Sequence, residues 1–525
     1  MTWPTVTVRQ GRSVFSMSAG DTARRNVSQR QKQPILCAVL VTMLMLGFSL
    51  VVPVQAQTTG FTPLSGISGL TPPERATGVA VETLCPKLPV PTSAPGTALV
   101  NPLTPGPVSS LTAGEDLQIR CTEMIGHALA GDTTAARTPL LSLAPEEIVA
   151  QGANAVTTSN RNIGTRLAIL HSGVTNLGFR RFGLRNEEPT APYTLVASLA
   201  PFAAVNSVVA ASTPSSFSRL GLFANGTFTG GDKDATSREA GFDFKTFGVT
   251  LGADYRFTNN FVLGAAFNYV STDVDFDTSS FLGTPSGGGI DTRGFGFSIY
   301  GTYYVSNQFY VDGIVNFGWN HYDIDRRIIY AIPATDRTGS LIPGTTTNVN
   351  QTALGDTHSA QYSFSVGAGY DFPIQGFTIT PLARLEYIRL NIDGYQEAIN
   401  STANGFGLAL AFEGQNVDSL LSVLGGQASY AISTGIGVLL PQVRAEWRHE
   451  WKNDARTITS RFVNDPNLTP LALVTDGPDR DFFTLGASLS ATFRGGVAAF
   501  MSYETVLGLA QVSAHNVVGG IRLEF

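Results

Sequence analysis

Two side chains near the end of the chain, Ser513 and His515, are of the types that carry out nucleophilic catalysis. Two positions apart on an extended strand they would share one face, where the imidazole could take the serine proton. Such a site also needs an acid that orients the histidine, and nothing upstream marks one. We therefore expect no catalytic residues, and we interpret His515 and its counterparts His321, His358 and His449 as histidines close to water.

A second group with possible chemistry is the run WNHYDIDRR, in which His321, Asp323 and Asp325 recur at every second position. Imidazole and carboxylate groups on one face could bind calcium or zinc. Without further ligands nearby, we interpret the run as the solvated end of a strand. The sequence predicts neither a metal site nor a cofactor.

The cysteines point to a structural role. Cys37 lies in a segment that we expect to be removed, which leaves Cys85 and Cys121 in an exported chain. A disulfide between them would close a loop of about 35 residues and stabilise a small region by a few kcal/mol. Two distant thiols do not suit a metal site, and we expect His127 to be a surface histidine.

The elements that position these residues begin with a targeting segment. The apolar run PILCAVLVTMLMLGFSLVVPVQAQ follows Arg24, Arg25, Arg30 and Lys32 and ends at small residues spaced for signal peptidase. We predict a signal peptide over residues 1–56, cleaved between Ala56 and Gln57, with Met17 as a possible true start. An uncleaved membrane anchor is the alternative, although the run is at the lower length limit for a span.

Residues 57–142 form a short region rich in Pro, Thr, Ser and Gly, for which we expect loops and one helix. That helix is predicted in GEDLQIRCTEMIGHALAG, where Leu117, Cys121 and Ile125 recur every four residues. Residues 143–216 are predicted to contain a helix over about 145–172, starting at Pro145, and then a helical or extended linker.

From residue 217 to 525 the sequence changes to period two. In FGVTLGADYRF, apolar positions such as Phe247 and Leu251 alternate with Thr250, Asp254 and similar residues, and RGFGFSIYGTYYV and VLLPQVRAEWRHE repeat the pattern. The final strand places Ile521, Leu523 and Phe525 on one side. A soluble sandwich would carry many Lys and Glu on its polar face, whereas this face carries Gly, Ser, Thr and Asn. We predict an all-β transmembrane barrel whose apolar face contacts lipid and whose polar face lines a lumen.

The bulk composition agrees with a membrane barrel. Only 14% of the residues are charged, 55 are Gly, and the mean hydropathy is +0.09, far below that of a helical membrane protein. The net charge of −6 argues against a nucleic-acid partner.

The connections between the predicted strands alternate between tight and long. About twelve antiparallel strands are joined by the tight turns FTNNF, VSNQF, FPIQGF, ISTGI and FRGGV and by four long segments: 273–291, 328–357, 393–415 and 453–479. Short turns and long loops are the periplasmic and extracellular ends of such barrels, and an even strand count places both termini on the periplasmic side. Aromatic residues near the tight turns, including Tyr255, Phe257, Tyr303 and Phe372, match an interfacial girdle.

With these features the sequence resembles the translocator domain of the classical monomeric autotransporters, the type V secretion family. The resemblance rests on GVTLGADYRFTNNFVLGAAFNYVSTDVDF, on VGAGYDF and on the closing GGIRLEF, and it covers residues 217–525. It implies a monomeric barrel in outer-membrane lipid of a Gram-negative bacterium, reached through the Sec translocon, periplasmic chaperones and the barrel-assembly machinery. Gly520, Leu523 and Phe525 fit that family's assembly signal, although Val518 stands where a polar residue is usual.

The resemblance also implies a helix in the pore, for which residues 145–172 are the candidate. Arg161 and Arg166 could pair there with inward carboxylates such as Glu386 and Glu446; alternatively, inward arginines such as Arg384, Arg444 and Arg522 could satisfy these carboxylates. The linker of about 40 residues before the first strand and the short N-terminal region both depart from the family.

Two functions fit these features. The first is a non-enzymatic translocator that exports or displays its short N-terminal region. The second is an outer-membrane channel or surface-interaction barrel that keeps the N-terminal region in the periplasm or in the lumen.

Overall fold

The computed structural model describes residues 63–89, 111–144, 219–277, 287–452, 454–477, 479–493 and 496–524. The predicted signal peptide with Ala56 and Gln57, the helix at 145–172 with Arg161 and Arg166, and Phe525 lie outside these ranges. No helix within them combines the length and apolar character needed to span a membrane.

Three helices precede the strands. They are α1 (Pro72–Leu84), α2 (Ala113–Leu129) and α3 (Thr133–Leu143). Our prediction of α2 is confirmed, with Leu117 and Cys121 buried, but the expectation of loops around it is wrong. Pro72 and Pro73 occupy the first turn of α1, where a missing N–H costs nothing, and Thr71 and Glu74 form a capping box there. These prolines start a helix where we expected them to prevent one.

The strands follow in chain order. They are β1 (Leu220–Lys233), β2 (Phe242–Thr258), β3 (Phe261–Phe276), β4 (Gly288–Tyr304), β5 (Phe309–Thr335), β6 (Leu341–Tyr370), β7 (Phe372–Ile374), β8 (Phe377–Ile392), β9 (Tyr395–Gln396), β10 (Leu410–Phe412), β11 (Gln415–Tyr430), β12 (Ile432–Thr434), β13 (Gly437–Glu450), β14 (Thr457–Phe462), β15 (Leu471–Val474), β16 (Asp481–Phe493), β17 (Val497–Leu507) and β18 (Val512–Glu524).

The long strands close into a barrel. In β1–β6, β8, β11, β13 and β16–β18 each strand pairs antiparallel with the next, and β1 pairs with β18 so that Leu222 lies opposite Leu523. Closure gives every strand two hydrogen-bonding neighbours, which a sheet needs in hydrocarbon. The predicted fold, a closed antiparallel barrel of twelve strands, is confirmed.

The two faces of the barrel follow the predicted alternation. Phe247, Leu251 and Phe257 of β2 are about half exposed on the outside, whereas Thr250 and Asp254 are buried inside. On the lumen side, Asn268 accepts a hydrogen bond from Thr250 (2.8 Å) and donates one to Ser298 (2.9 Å), which links β2, β3 and β4. Such ladders satisfy the polar groups that line the lumen.

The barrel has two different ends. The turns after β2, β4, β6, β11 and β16, together with Arg219 before β1 and Glu524 at the end of β18, form the short-turn end. An aromatic girdle surrounds this end as predicted, with the rings of Tyr255 and Phe257 in contact at 4.9 Å. The connections after β1, β3, β5, β8, β13 and β17 form the long-loop end.

The long-loop end is more regular than the sequence suggested. We expected residues 328–357 to be a loop, but β5 and β6 continue through this segment in antiparallel register, Ile328 opposite Gln351, and turn only between Thr335 and Leu341. The connections after β8 and β13 contribute β9, β10, β14 and β15 to a separate four-stranded sheet, here called the loop sheet.

Candidate functional site: the lumen and the helical cap

The three helices pack on the long-loop end. We call residues 63–89 and 111–144 the helical cap, because they share one buried core with the extended β5–β6 hairpin and the loop sheet. The cap contributes Leu64, Ile67, Leu70, Ala80, Val81, Leu84, Leu88, Leu117, Cys121, Met124, Ala128, Ala135, Ala136, Leu140 and Leu143. The long-loop end contributes Ile328, Tyr330, Ile332, Val349, Ala353, Leu408, Leu410, Phe412, Ile458, Phe462, Leu471 and Leu473. The hydrophobic effect therefore stabilises the docked position of the cap.

The predicted disulfide lies inside the cap. Cys85, at the end of α1, is joined to Cys121 in α2, with 5.5 Å between their Cα atoms. Glu74 of α1 accepts hydrogen bonds from Arg137 of α3 at 2.7 and 3.0 Å, so that the disulfide and this ion pair connect all three helices. The helices of the cap are thus joined to each other by a disulfide and an ion pair, in addition to their contacts with the barrel.

The backbone of helix α2 directly contacts the backbone at the tip of the β5–β6 hairpin. A methyl group added at Gly126 would lie 2.8 Å from the Cα and carbonyl carbon of Gly339, and still closer to its oxygen. Gly339 itself has a φ of +85°, which favours glycine in the hairpin turn. Two facing glycines thus allow the helix and the hairpin tip to touch.

His127 shows that our expectation of a surface histidine is wrong. Its side chain is fully buried, and its Nε2 lies 2.8 Å from the carbonyl oxygen of Pro333 on β5. Ser142 of α3 likewise donates to the carbonyl oxygen of Ile329 at 2.9 Å. Both bonds fix cap helices to the backbone of the extended strand.

A buried ionic cluster lies in the same interface. Arg120 of α2 contacts Asp116 (3.3 Å) and Glu123, while the hydroxyl of Thr347 on β6 donates to Glu123 at 2.8 Å. Asp116 accepts backbone N–H bonds from Gly405 and Gly407. Burial raises the pKa of the Glu123 carboxyl above its usual value, in spite of the opposing attraction of Arg120. Two carboxyl groups thus share one guanidinium in this cluster.

The lumen contains its own ion pairs. Glu386 of β8 pairs with Arg384 and Arg448, and Glu446 of β13 accepts from Arg448 at 2.9 Å and lies 3.7 Å from Arg444. Among the described residues, the barrel's own arginines therefore surround the two carboxylates for which we considered Arg161 and Arg166. Pairing with Arg161 or Arg166 stays a prediction, because both lie outside the described ranges.

The closing strand has the predicted orientation. Ile521 is 55% and Leu523 37% exposed on the outside, whereas Arg522 is buried in the lumen beside Asp254 and Glu524. Gly520 lies against the adjacent β1, where an added methyl group would be 2.6 Å from the Asn225 side chain. A role of these residues in recognition by assembly machinery stays a prediction.

Ser513 and His515, the residues first considered for chemistry, both lie on β18 but contact different partners. Ser513 donates to Asp232 of β1, whereas His515 lies 2.8 Å from the hydroxyl of Tyr503 on β17. Each of the two side chains is therefore engaged with a different neighbouring strand.

The docking surface of the cap was not among the features predicted from the sequence. One signal was available: Ile328, Tyr330 and Ile332 alternate with less buried residues, and all three side chains are buried on the side that meets the cap. Alternation marks a strand with one buried face, but it does not identify what covers that face.

Comparison with known proteins assigns the barrel to a family. The family model for the autotransporter beta-domain matches residues 222–504. Outer membrane protein B of Rickettsia japonica is 24% identical over 313 residues, which are 58% of this chain and 17% of that protein. The adhesin BmaC autotransporter of Brucella suis is 24% identical over 178 residues, 33% of this chain and 4% of the relative. The chain thus matches only a small part of these long relatives.

Solved structures with a similar chain path include the translocator domain of the autotransporter NalP from Neisseria meningitidis. It is 15% identical with a TM-score of 0.44, and the match covers 63% of this chain and all of that domain. The beta domain of the Bordetella autotransporter BrkA is 18% identical with a TM-score of 0.37, and the match covers 58% of this chain and 100% of that domain. The family match itself spans more than half of the chain and falls on the closed barrel. This protein therefore belongs to the autotransporter beta-domain family and is located in the outer membrane of a Gram-negative bacterium.

Proposed function

We propose that this barrel carries its own N-terminal region to the cell surface and retains it there as the docked helical cap. The observation that carries the proposal is the core that the cap shares with the long-loop end. Long loops are the extracellular side of outer-membrane barrels, so a cap that packs on them is displayed outside the cell. The work of the barrel is transport and display, and we assign it no catalytic residues.

The ends of the described segments support this route. The cap ends at Ala144, two residues after Ser142, which bonds the extended strand β5 at the long-loop end. The chain is described again from Arg219, whose carbonyl oxygen accepts from the N–H of Arg256 at the short-turn end. Described segments of one chain thus lie at opposite ends of the closed barrel, which supports transport of the N-terminal region from one side of the membrane to the other.

Retention is supported by the kind of contact between cap and barrel. A released domain needs an outer surface that water can solvate, whereas Leu117, Leu140 and Leu143 of the cap are fully buried. Release would separate these side chains from Ile328 and Leu408 of the barrel, with which they share the core, so the docked state is favoured. On this proposal the chain uses the Sec translocon, periplasmic chaperones and the barrel-assembly machinery, the partners that the family resemblance implies.

An epitope tag near Thr59 tests the proposal. We expect antibody to reach this tag on intact cells, and protease shaving to remove it, while the tag stays with the cell pellet rather than the medium. The matched control is the same tag in the turn between β2 and β3, at Asn259–Asn260, which should become accessible only after the outer membrane is permeabilised. A Thr59 tag that requires permeabilisation would favour the periplasmic alternative, and a tag found in the medium would exclude retention.

A further inference from the structure

The outer face of the barrel carries a histidine pair that neither export nor docking of the cap uses. His321 of β5 and His358 of β6 are directly opposite each other in the strand register, although 37 residues separate them in the sequence. Their rings are 4.6 Å apart, and His321 Nδ1 lies 3.2 Å from His358 Nε2. The sequence alone gave His321 only Asp323 and Asp325 as neighbours, which is why it predicted no metal site.

The spacing of the two nitrogens matches that of two ligands on one metal ion. Ligands about 2.0–2.1 Å from a tetrahedral ion are about 3.3 Å apart. The backbone pairing of β5 and β6 holds both side chains on the same face, so little conformational freedom is lost when an ion binds. We propose that His321 Nδ1 and His358 Nε2 bind a divalent transition-metal ion of the class Cu²⁺, Ni²⁺ or Zn²⁺, for which imidazole is a preferred ligand.

The second ring nitrogen of His321 is already oriented. His321 Nε2 lies 3.2 Å from a carboxylate oxygen of Asp323, two residues along the same strand. When this nitrogen carries the proton and donates to Asp323, Nδ1 accepts a hydrogen bond from His358 Nε2. A metal ion takes the place of that proton once His358 carries its own proton on Nδ1 instead, which leaves one lone pair on each of the two facing nitrogens. A carboxylate behind a ligating histidine raises its basicity and fixes its tautomer, as in many zinc sites. Asp323 is therefore a positioning residue for the proposed ion.

The surrounding charges and the depth of the pair fit a site in contact with water. Asp356 of β6 lies opposite Asp323, and Asp291 and Arg293 of β4 lie opposite Asp323 and His321. Three carboxylates and one guanidinium leave this patch anionic before an ion binds. Trp319, next on the same face toward the short-turn end, is 60% exposed, as expected for a ring at the membrane interface. The pair thus lies just outside the hydrocarbon layer.

The site is a two-ligand site. Across the described part of the chain, no three His, Cys, Asp or Glu side chains converge on one point as a ready-made metal cluster. Water completes the coordination of the ion, and the affinity is lower than that of a buried structural zinc site. An exposed pair of this kind exchanges its ion readily with the medium.

The test uses the full chain purified in detergent with a tag that contains no histidine, and Cu²⁺ alone as the probe. We expect one equivalent of Cu²⁺ whose electron paramagnetic resonance spectrum shows coupling to two imidazole nitrogens. H321N and H358N should each weaken binding at least about tenfold, since even changes behind a ligand cost 10–100-fold. H449N removes another outer-face histidine and should leave the affinity unchanged.

A second pair of variants separates positioning from general charge. D323N removes the carboxylate behind His321 and should weaken Cu²⁺ binding about tenfold, whereas D291N removes the same charge from the neighbouring strand and should have a smaller effect. Heat-modifiable migration in gels checks that each variant forms the barrel. The proposal is overturned if H358N binds Cu²⁺ within twofold of the parent chain, or if the parent spectrum shows fewer than two nitrogens.

Discussion

Gly126 is the position at which one added methyl group should undock the helical cap. In G126A the new carbon would lie 2.8 Å from two backbone atoms of Gly339, whereas ordinary contacts start at 3.4 Å. The carbonyl oxygen of Gly339 would be closer still, so helix α2 has to move by about 1 Å, a gap that forfeits up to about half of the dispersion energy across the contact. The bonds of Glu123 to Thr347 and of His127 to Pro333 lie within one turn of Gly126 and lengthen with this movement.

Overpacking of this kind costs about 1–3 kcal/mol, which corresponds to an increase of about 5- to 150-fold in the opening equilibrium of the cap. Hydrogen–deuterium exchange of the full chain in detergent measures this directly, because amides of α2 should exchange faster by that factor while those of β3 keep their rate. G114A is the matched control on the same helix: its methyl group would be 4.0 Å from the nearest atom, the carbonyl oxygen of Asn464. If G126A and G114A exchange alike in α2, the proposed docking of this helix on the hairpin tip is wrong.

Two further predictions concern the cap. Replacing both Cys85 and Cys121 by Ser opens a loop closed across a sequence separation of 36 residues and should destabilise the cap by about 3–4 kcal/mol. Pulse proteolysis in urea should then show a lower unfolding midpoint for the cap and an unchanged midpoint for the barrel. An unchanged midpoint for the cap would contradict the role assigned to the disulfide. Glu123 has a pKa raised by burial above its ordinary 4.5, so its contribution to docking is fully present below about pH 4.5 and is lost as the pH rises through the raised pKa. E123Q should flatten this dependence of the cap midpoint on pH, and a parent chain whose cap midpoint does not fall over that window would refute the assignment.

The barrel could be predicted from the sequence because every strand has one face toward hydrocarbon and the other toward water. Apolar and polar residues therefore alternate along the strand, and the outward position of Phe297 and the inward position of Ser298 follow from residue type alone, without any knowledge of their contacts. Closure then follows from an even number of strands and from the apolar positions of the last strand. The disulfide was predictable for a similarly simple reason, since removal of the predicted signal peptide would leave just Cys85 and Cys121.

The docking of the cap could not be predicted because it depends on contacts between distant segments. Gly126 meets Gly339 and His127 meets Pro333 across more than 200 residues of sequence, and neither pair carries a local signal. The prolines of α1 were misjudged because composition was weighed without position, although Thr71 and Glu74 mark a helix start. In the lumen, the choice of Arg384 and Arg448 as partners of Glu386 depends on how neighbouring strands align.

The N-terminal region can be small because the long-loop end of the barrel supplies part of its hydrophobic core. A region as short as the helical cap buries too little apolar surface to be stable by hydrophobic packing alone. Domains of this size depend on disulfides or on a partner surface. The cap has both: Cys85–Cys121 restricts its unfolded state, and the β5–β6 hairpin with the loop sheet supplies nearly half of the buried residues in the shared core. Because Ile328, Tyr330 and Leu408 lie in the same buried core as the cap residues, the long-loop end also gains from packing against the cap. A core shared in this way supports the proposed retention of the cap over its release.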